Sequence, residues 1–189
     1  MNIDSNINKR MSLYSQKIAW AIRGIIDGVL YSKKCKVVNG IEKLWGNKMI
    51  GQTDNNQWTT TLGETLVQDT LVRCGAKVYK PKNINGYLPD LETDKYIYEV
   101  KTRNWTTSGT AGEKVLGVPY KYSDIPRLYN KPLRIVCVAF QEYELTEGNI
   151  KIFGECSQEK RLLLDFWKGM NIEFVKFSDI VNGVFKDDL

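Results

Sequence analysis

Asp90, Glu99 and Lys101 are the residues in this chain best placed to do chemistry. The stretch from Tyr87 to Lys101 reads YLPDLETDKYIYEVK. A two-residue turn at Thr93 and Asp94 would join the flanking segments as a hairpin, with Leu91 opposite Tyr96 and Asp90 opposite Ile97. Side chains alternate along a strand, so Ile97, Glu99 and Lys101 share a face, and Asp90 points to that face as well. Two carboxylates and one ammonium should therefore meet near one end of the hairpin. Adjacent carboxylates repel until a cation relieves them. Lys101 could do so alone, as a structural salt bridge. A divalent metal would make the same cluster hydrolytic. Mg²⁺ takes oxygen ligands and is held by one or two carboxylates with water and substrate phosphate. Lys101 would then offset charge that builds up on a pentavalent phosphorus and orient the attacking water.

The elements around the hairpin must hold these groups in place. Residues 1–15 read as a loosely docked arm. A helix is expected over 16–32, with Ile18, Ile22, Ile25 and Val29 at helical spacing. Lys33, Lys34 and Lys36 follow, where the helix dipole favours them. Residues 46–61 contain a polar loop whose amides, Gln57 among them, suit either a plain connection or contact with base edges. A second helix runs from Leu62 to Arg73, with Gly75 as its C-terminal cap. Glu64 on that helix shares a face with Val67, Gln68 and Leu71, so it points inward, where a carboxylate needs a partner or a metal. Short strands are expected over Lys77–Lys80, Gly86–Leu91 and Lys95–Thr102. A polar turn spans Thr106 to Gly112. Two short helices separated by prolines fall between Glu113 and Leu128. Leu133 to Phe140 is a continuous apolar run, as a buried central strand would be. A helix capped by Ser157 and a last strand over Ile172–Phe177 complete the order. This is an α/β chain with a mixed central sheet flanked by helices and an N-terminal helical extension. The expected division is residues 1–59 as that extension with its polar loop, and 60–189 as the core.

Composition narrows the chemistry. The chain has 189 residues, enough for one substantial core, and no histidine. Histidine-dependent nucleases, Ser-His-Asp hydrolysis and most zinc hydrolases are thereby excluded. The cysteines, Cys35, Cys74, Cys137 and Cys156, are far apart and form no CxxC, which reads as reduced thiols. The polar N-terminus lacks a signal-peptide core, and a protein that stays in the cytoplasm is expected. The net charge of +5 leans toward a polyanionic partner.

Pro89-Asp90, eight residues, then Glu99-Val100-Lys101 resembles the PD-(D/E)XK nuclease motif, and the order of elements from residue 62 is similar to that superfamily's core. The resemblance covers about residues 60–180. It implies a restriction-endonuclease-like fold in which Asp90 and Glu99 bind Mg²⁺ and Lys101 serves the nucleophilic water. Many members carry a glutamate on the preceding helix, near the metal, and Glu64 is the matching residue. By this resemblance the catalytic set is Asp90, Glu99, Lys101 and Glu64, with Asp90, Glu99 and Glu64 on the metal.

The neighbouring residues suit contact with DNA. Arg103 and Asn104 extend the catalytic strand. Thr107 and Ser108 lie in a hydroxyl-rich turn that leads to Lys114, and Lys121 follows among aromatics. The turn is not a P-loop, because Glu113 interrupts the glycine-lysine pair and Val115 follows it. Within the superfamily a chain of this size is most like a type II restriction endonuclease. That implies double-stranded DNA as substrate, a homodimer on a two-fold site, and a cognate DNA methyltransferase in the same system. A structure-specific nuclease of the junction-resolving or repair kind would share the motif, and a non-catalytic DNA-binding protein is the reading from outside enzymology.

Overall fold

The computed structural model describes residues 3–26, 36–103 and 113–184. Helix α1 (Ile3–Ile26) and helix α2 (Lys36–Met49) lead to helix α3 (Trp58–Arg73). Strand β1 (Leu91–Glu92) and strand β2 (Ile97–Arg103) follow. A 3₁₀ turn over Glu113–Gly117 then enters α4 (Val118–Lys121) and α5 (Ile125–Tyr129). Strand β3 (Leu133–Ala139), α6 (Phe140–Glu147), α7 (Gln158–Gly169), β4 (Ile172–Lys176) and α8 (Phe177–Val181) complete the described chain.

The sheet order is β1-β2-β3-β4, with β1 antiparallel to β2 and the other pairs parallel. It is the mixed sheet flanked by helices that the alternation of elements predicts. Strand β3 lies inside the sheet and is buried along its whole length, which explains its unbroken apolar run. Its one charge, Arg134, is 3% exposed, bonds Glu173 at 2.9 Å and lies 3.5 Å from the centre of the Tyr96 ring. On one face Tyr98, Val100, Val136 and Val138 pack with Leu62, Leu66 and Leu71 of α3 and with Trp20 and Ala21 of α1. On the other, Ile97, Leu133, Ile135 and Cys137 pack with Val118, Tyr122, Ile125 and Leu145.

Several expectations are revised. The segment expected to be a loose arm is helical from Ile3, and α1 ends at Ile26; Val29, Lys33 and Lys34 lie outside the described residues. The face of α1 that enters the core is Trp20, Ala21 and Gly24, while Ile18, Ile22 and Ile25 are half-buried. Small size decides this. A β-carbon on Gly24 would sit 3.0 Å from the Phe140 amide nitrogen and 3.1 Å from Ala139 Cβ, so the helix backbone lies directly on that corner. The polar loop is shorter than expected: α2 runs to Met49 and α3 begins at Trp58. Of the three strands expected between 77 and 102, Lys77–Lys80 contributes a single bridge, Tyr79 to Glu92, and Gly86–Leu91 a bridge from Tyr87 back to Ile84 and pairing with β2 only at its end. Gly86 has φ +86° and Asn85 φ +52°, a turn conformation, and Pro89 has no N–H to donate. Pro119 and Pro126 stand in the first turns of α4 and α5, where a missing N–H costs nothing.

The cap of α3 forms as read. Gly75 takes φ +98°, its N–H reaches Val72 O at 3.0 Å, and the Ala76 N–H reaches Leu71 O at 3.0 Å. Ser157 caps α7 by accepting from the Lys160 N–H. Cys74, Cys137 and Cys156 are free thiols. Among the described residues no helix is long and apolar enough to cross a membrane.

Candidate active site

The hairpin turn is one position later than expected. The Thr93 N–H donates to Tyr96 O at 2.8 Å, which leaves Asp94 and Lys95 as the turn. Leu91 therefore faces Tyr98, and Glu92 faces Ile97. This moves the register by two residues, so every side chain keeps its face. It also sets Asp90 level with Glu99 rather than with Ile97. Regular pairing ends there. The Asp90 N–H reaches Tyr98 O at 3.1 Å, and the Val100 N–H is taken by Asp90 Oδ2 at 2.6 Å. The Asp90 carboxylate thus supplies the acceptor that a backbone carbonyl would supply in a continuing ladder, and it is locked against β2 by that bond.

Glu99 is 4% exposed. Its Oε1 accepts from Lys101 Nζ at 2.5 Å, and Lys101 remains partly open to solvent. Its Oε2 is buried without a hydrogen bond of good geometry among the described residues, and the Tyr122 hydroxyl interacts with the same carboxylate. Glu64 reaches the same place from the next helix. Val67 and Leu71 on its face are fully buried, Gln68 is exposed, and Glu64 lies between these extremes. A β-carbon on Gly63 would lie 1.7 Å from Thr102 Oγ1, so α3 crosses β2 in direct contact at the residue before Glu64. This close crossing brings the Glu64 carboxylate into the field of the hairpin acids.

The electrostatics agree with one cluster. Burial, then Asp90 and Glu99, raise Glu64 from 4.5 to about 7, against the pull of Lys101. Burial pushes Asp90 up, opposed by the Val100 amide, Lys101 and Lys121. Burial and then Asp90 push Glu99 up, opposed by Lys101 and Lys121. Tyr122 is raised to about 12 by burial first and by Glu99 second, so its phenol stays protonated.

No protein-family model matches the chain, and neither do curated proteins or solved structures.

Asp90, Glu99 and Lys101 thus come together, and Glu64 is near enough to feel their charges. Among the described residues no three His, Cys, Asp or Glu side chains converge as a ready-made metal cage. Glu64 stands beside the Asp90–Glu99 pair as an electrostatic neighbour rather than a third ligand already in place. The pair itself suits Mg²⁺. It offers hard oxygen donors from two carboxylates, one of them a buried oxygen without a well-placed donor among the described residues.

The expected DNA contacts divide. Gln57 and Lys114 are exposed. Arg103 is largely covered, ion-paired with Glu144 and set 5.3 Å from the centre of the Phe140 ring, so it braces α6. Asn104, Thr107 and Ser108 lie outside the described residues. Lys121 is exposed and donates to the hydroxyl of Tyr122, the residue that interacts with Glu99. Tyr122 carried no catalytic expectation: with Tyr120, Lys121 and Arg127 it reads as an amphipathic helix with its aromatics inward, or as a lining of the groove; its interaction with Glu99 depends on how α4 returns over the sheet.

Proposed function

We propose that this protein is a Mg²⁺-dependent endonuclease that hydrolyses phosphodiester bonds of double-stranded DNA. The observation that carries the proposal is the buried Glu99 carboxylate level with Asp90: one oxygen holds Lys101, and Oε2 has no hydrogen bond of good geometry among the described residues. A buried carboxylate oxygen with no donor is costly, and a cation is the partner that removes the cost without rearranging the sheet. Asp90 and Glu99 would hold the ion, with Glu64 adding negative charge beside it. When bound, Mg²⁺ supplies Lewis-acid stabilisation of phosphate oxygens and favours ionisation of water at neutral pH.

The protein's own part is positional. Lys101, fixed by Glu99, presents an ammonium to the reacting phosphate and orients the attacking water. A water oxygen forms the new bond to phosphorus as the ester P–O bond breaks. The water's proton passes to solvent and the leaving oxygen gains one, giving a phosphomonoester and an alcohol. The net charge of +5 favours approach of a polyanion. The resemblance to PD-(D/E)XK enzymes supports the finer reading: a type II site-specific deoxyribonuclease acting as a homodimer beside a cognate methyltransferase.

Supercoiled plasmid incubated with millimolar Mg²⁺, with and without a chelator, tests this. Discrete fragments whose sequenced ends share one short motif are expected, and chelation abolishes them. Cutting confined to branched substrates would move the assignment to a structure-specific nuclease. Binding without cleavage of any DNA would leave a non-catalytic DNA-binding protein.

A further inference from the structure

A second lysine, outside the motif, lies one side chain away from the acid pair. Lys121 closes α4, and the Tyr122 hydroxyl to which it donates interacts with Glu99. Among the described residues it forms no ion pair. Its Nζ instead donates to the Tyr122 hydroxyl at 3.1 Å and lies 4.6 Å from the centre of that ring. The two side chains differ in freedom. Tyr122 is 7% exposed and packs with Val118, Ile125 and Ile135, whereas Lys121 is exposed. The Tyr87 ring stands 6.2 Å from Tyr122, and the Tyr87 hydroxyl donates to Asp124 at 3.2 Å, which fastens the turn between α4 and α5. A buried phenol therefore holds an exposed ammonium near the carboxylates through a neutral hydrogen bond.

Charge gives this arrangement its use. Three carboxyl groups surround the site, and Lys101 is already committed to Glu99. A phosphodiester that enters brings another negative charge, and its transition state spreads more charge over the non-bridging oxygens. An ammonium held by a neutral partner can be transferred to such an oxygen at far lower cost than one held in a salt bridge. Resting on the nuclease reading, we infer that Lys121, parked on Tyr122, is the residue that grips the scissile phosphate, with Tyr122 as its positioning residue.

The test uses the full chain and a duplex oligonucleotide. Metal-free binding is measured across a salt series, and single-turnover cleavage is measured with Mg²⁺. Lys121→Gln should flatten the slope of log affinity against log salt by about 0.9, the loss of one phosphate contact, and slow cleavage by roughly 10²-fold. Lys121→Arg should keep the wild-type slope. Tyr122→Phe keeps the ring and the packing, so it should leave the slope unchanged and slow cleavage by about tenfold, as expected when orientation alone is lost. Lys168→Gln, an exposed lysine on α7, controls for general charge and should leave the rate unchanged. A Lys121→Gln protein with wild-type slope and wild-type rate overturns the inference while the nuclease reading stands. A wild-type protein that cuts nothing overturns the nuclease reading, and the salt slopes then still decide whether Lys121 meets a phosphate.

Discussion

Replacing Gly63 with alanine tests how the helix carrying Glu64 is set against the strand carrying Glu99. The new β-carbon would lie 1.7 Å from Thr102 Oγ1 and 2.7 Å from Thr102 Cβ. Rotating the threonine side chain moves the oxygen but not the β-carbon. To reach ordinary contact at 3.4 Å, α3 and β2 must part by about 0.7 Å at this point. Overpacking of this kind costs about 1–3 kcal/mol. Alanine returns roughly 0.5–1 kcal/mol over glycine within a helix. The net loss is at most about 2.5 kcal/mol, which lowers Tm by up to roughly 10 °C for a chain of this size. The displacement falls on the residue before Glu64, so Mg²⁺-dependent cleavage should drop by about 10–100-fold even where the protein is fully folded. Thermal unfolding and single-turnover cleavage measure the two effects. Thr102→Ala removes the contact at 1.7 Å and a buried hydroxyl that has no partner among the described residues, yet leaves the one at 2.7 Å, so in the double mutant it should restore part of the loss. A Gly63→Ala protein that is more stable than wild type, with unchanged cleavage, would show that the helix does not lie as close to the strand as described.

Other outcomes follow from the same cluster. Glu64 is raised to about 7 in the folded protein from 4.5, so the folded state holds its proton more tightly, and stability without metal should fall as pH rises from about 4.5 to 7. Glu64→Gln should flatten that fall and raise metal-free stability at pH 8 by about 1 kcal/mol, after allowance for solvent screening of a half-exposed group, as read by denaturant titration. Asp90→Asn keeps an acceptor for the Val100 N–H and should abolish cleavage with little change in Tm, whereas Asp90→Ala orphans that N–H and should cost a further 1–3 kcal/mol or so. Lys101→Ala should abolish cutting while most DNA affinity survives in a binding assay; cutting at the wild-type rate would remove its assigned role. Ser157→Ala should destabilise by about 0.5–2 kcal/mol through loss of the α7 cap, with cleavage unchanged.

Much of this architecture is legible in the residue pattern because burial and pattern coincide. The run from Leu133 to Ala139 is buried on both faces of the sheet, and Ser157 and Gly75 perform the local tasks that their types suggest. The placement of Asp90 and Glu99 on one face survives an error in the turn, because shifting the register by two preserves the alternation. Other features escape sequence reasoning for physical reasons. The core face of α1 depends on how closely Ala21 and Gly24 can approach Ala139, which apolar periodicity does not report. Helices α6 and α8 are short, and their buried residues include Gln141 and Glu142, polar side chains that pattern reading assigns to solvent. Glu142 is satisfied from a distant element, by the Ser178 amide at 3.0 Å and its hydroxyl at 2.5 Å. Tyr122 and Lys121 join the acids only through the return of α4 across the sheet.

The bond between the Val100 N–H and Asp90 Oδ2 makes the two acids non-interchangeable. Position 90 accepts a side chain of one length only. An added methylene would push the carboxylate past the amide it plugs, freeing the oxygen but unseating the strand. Position 99 has the opposite requirement, a longer arm that can satisfy an ammonium and still offer a spare oxygen to the interior. Exchanging aspartate and glutamate between the two positions would conserve charge and composition while spoiling both fits.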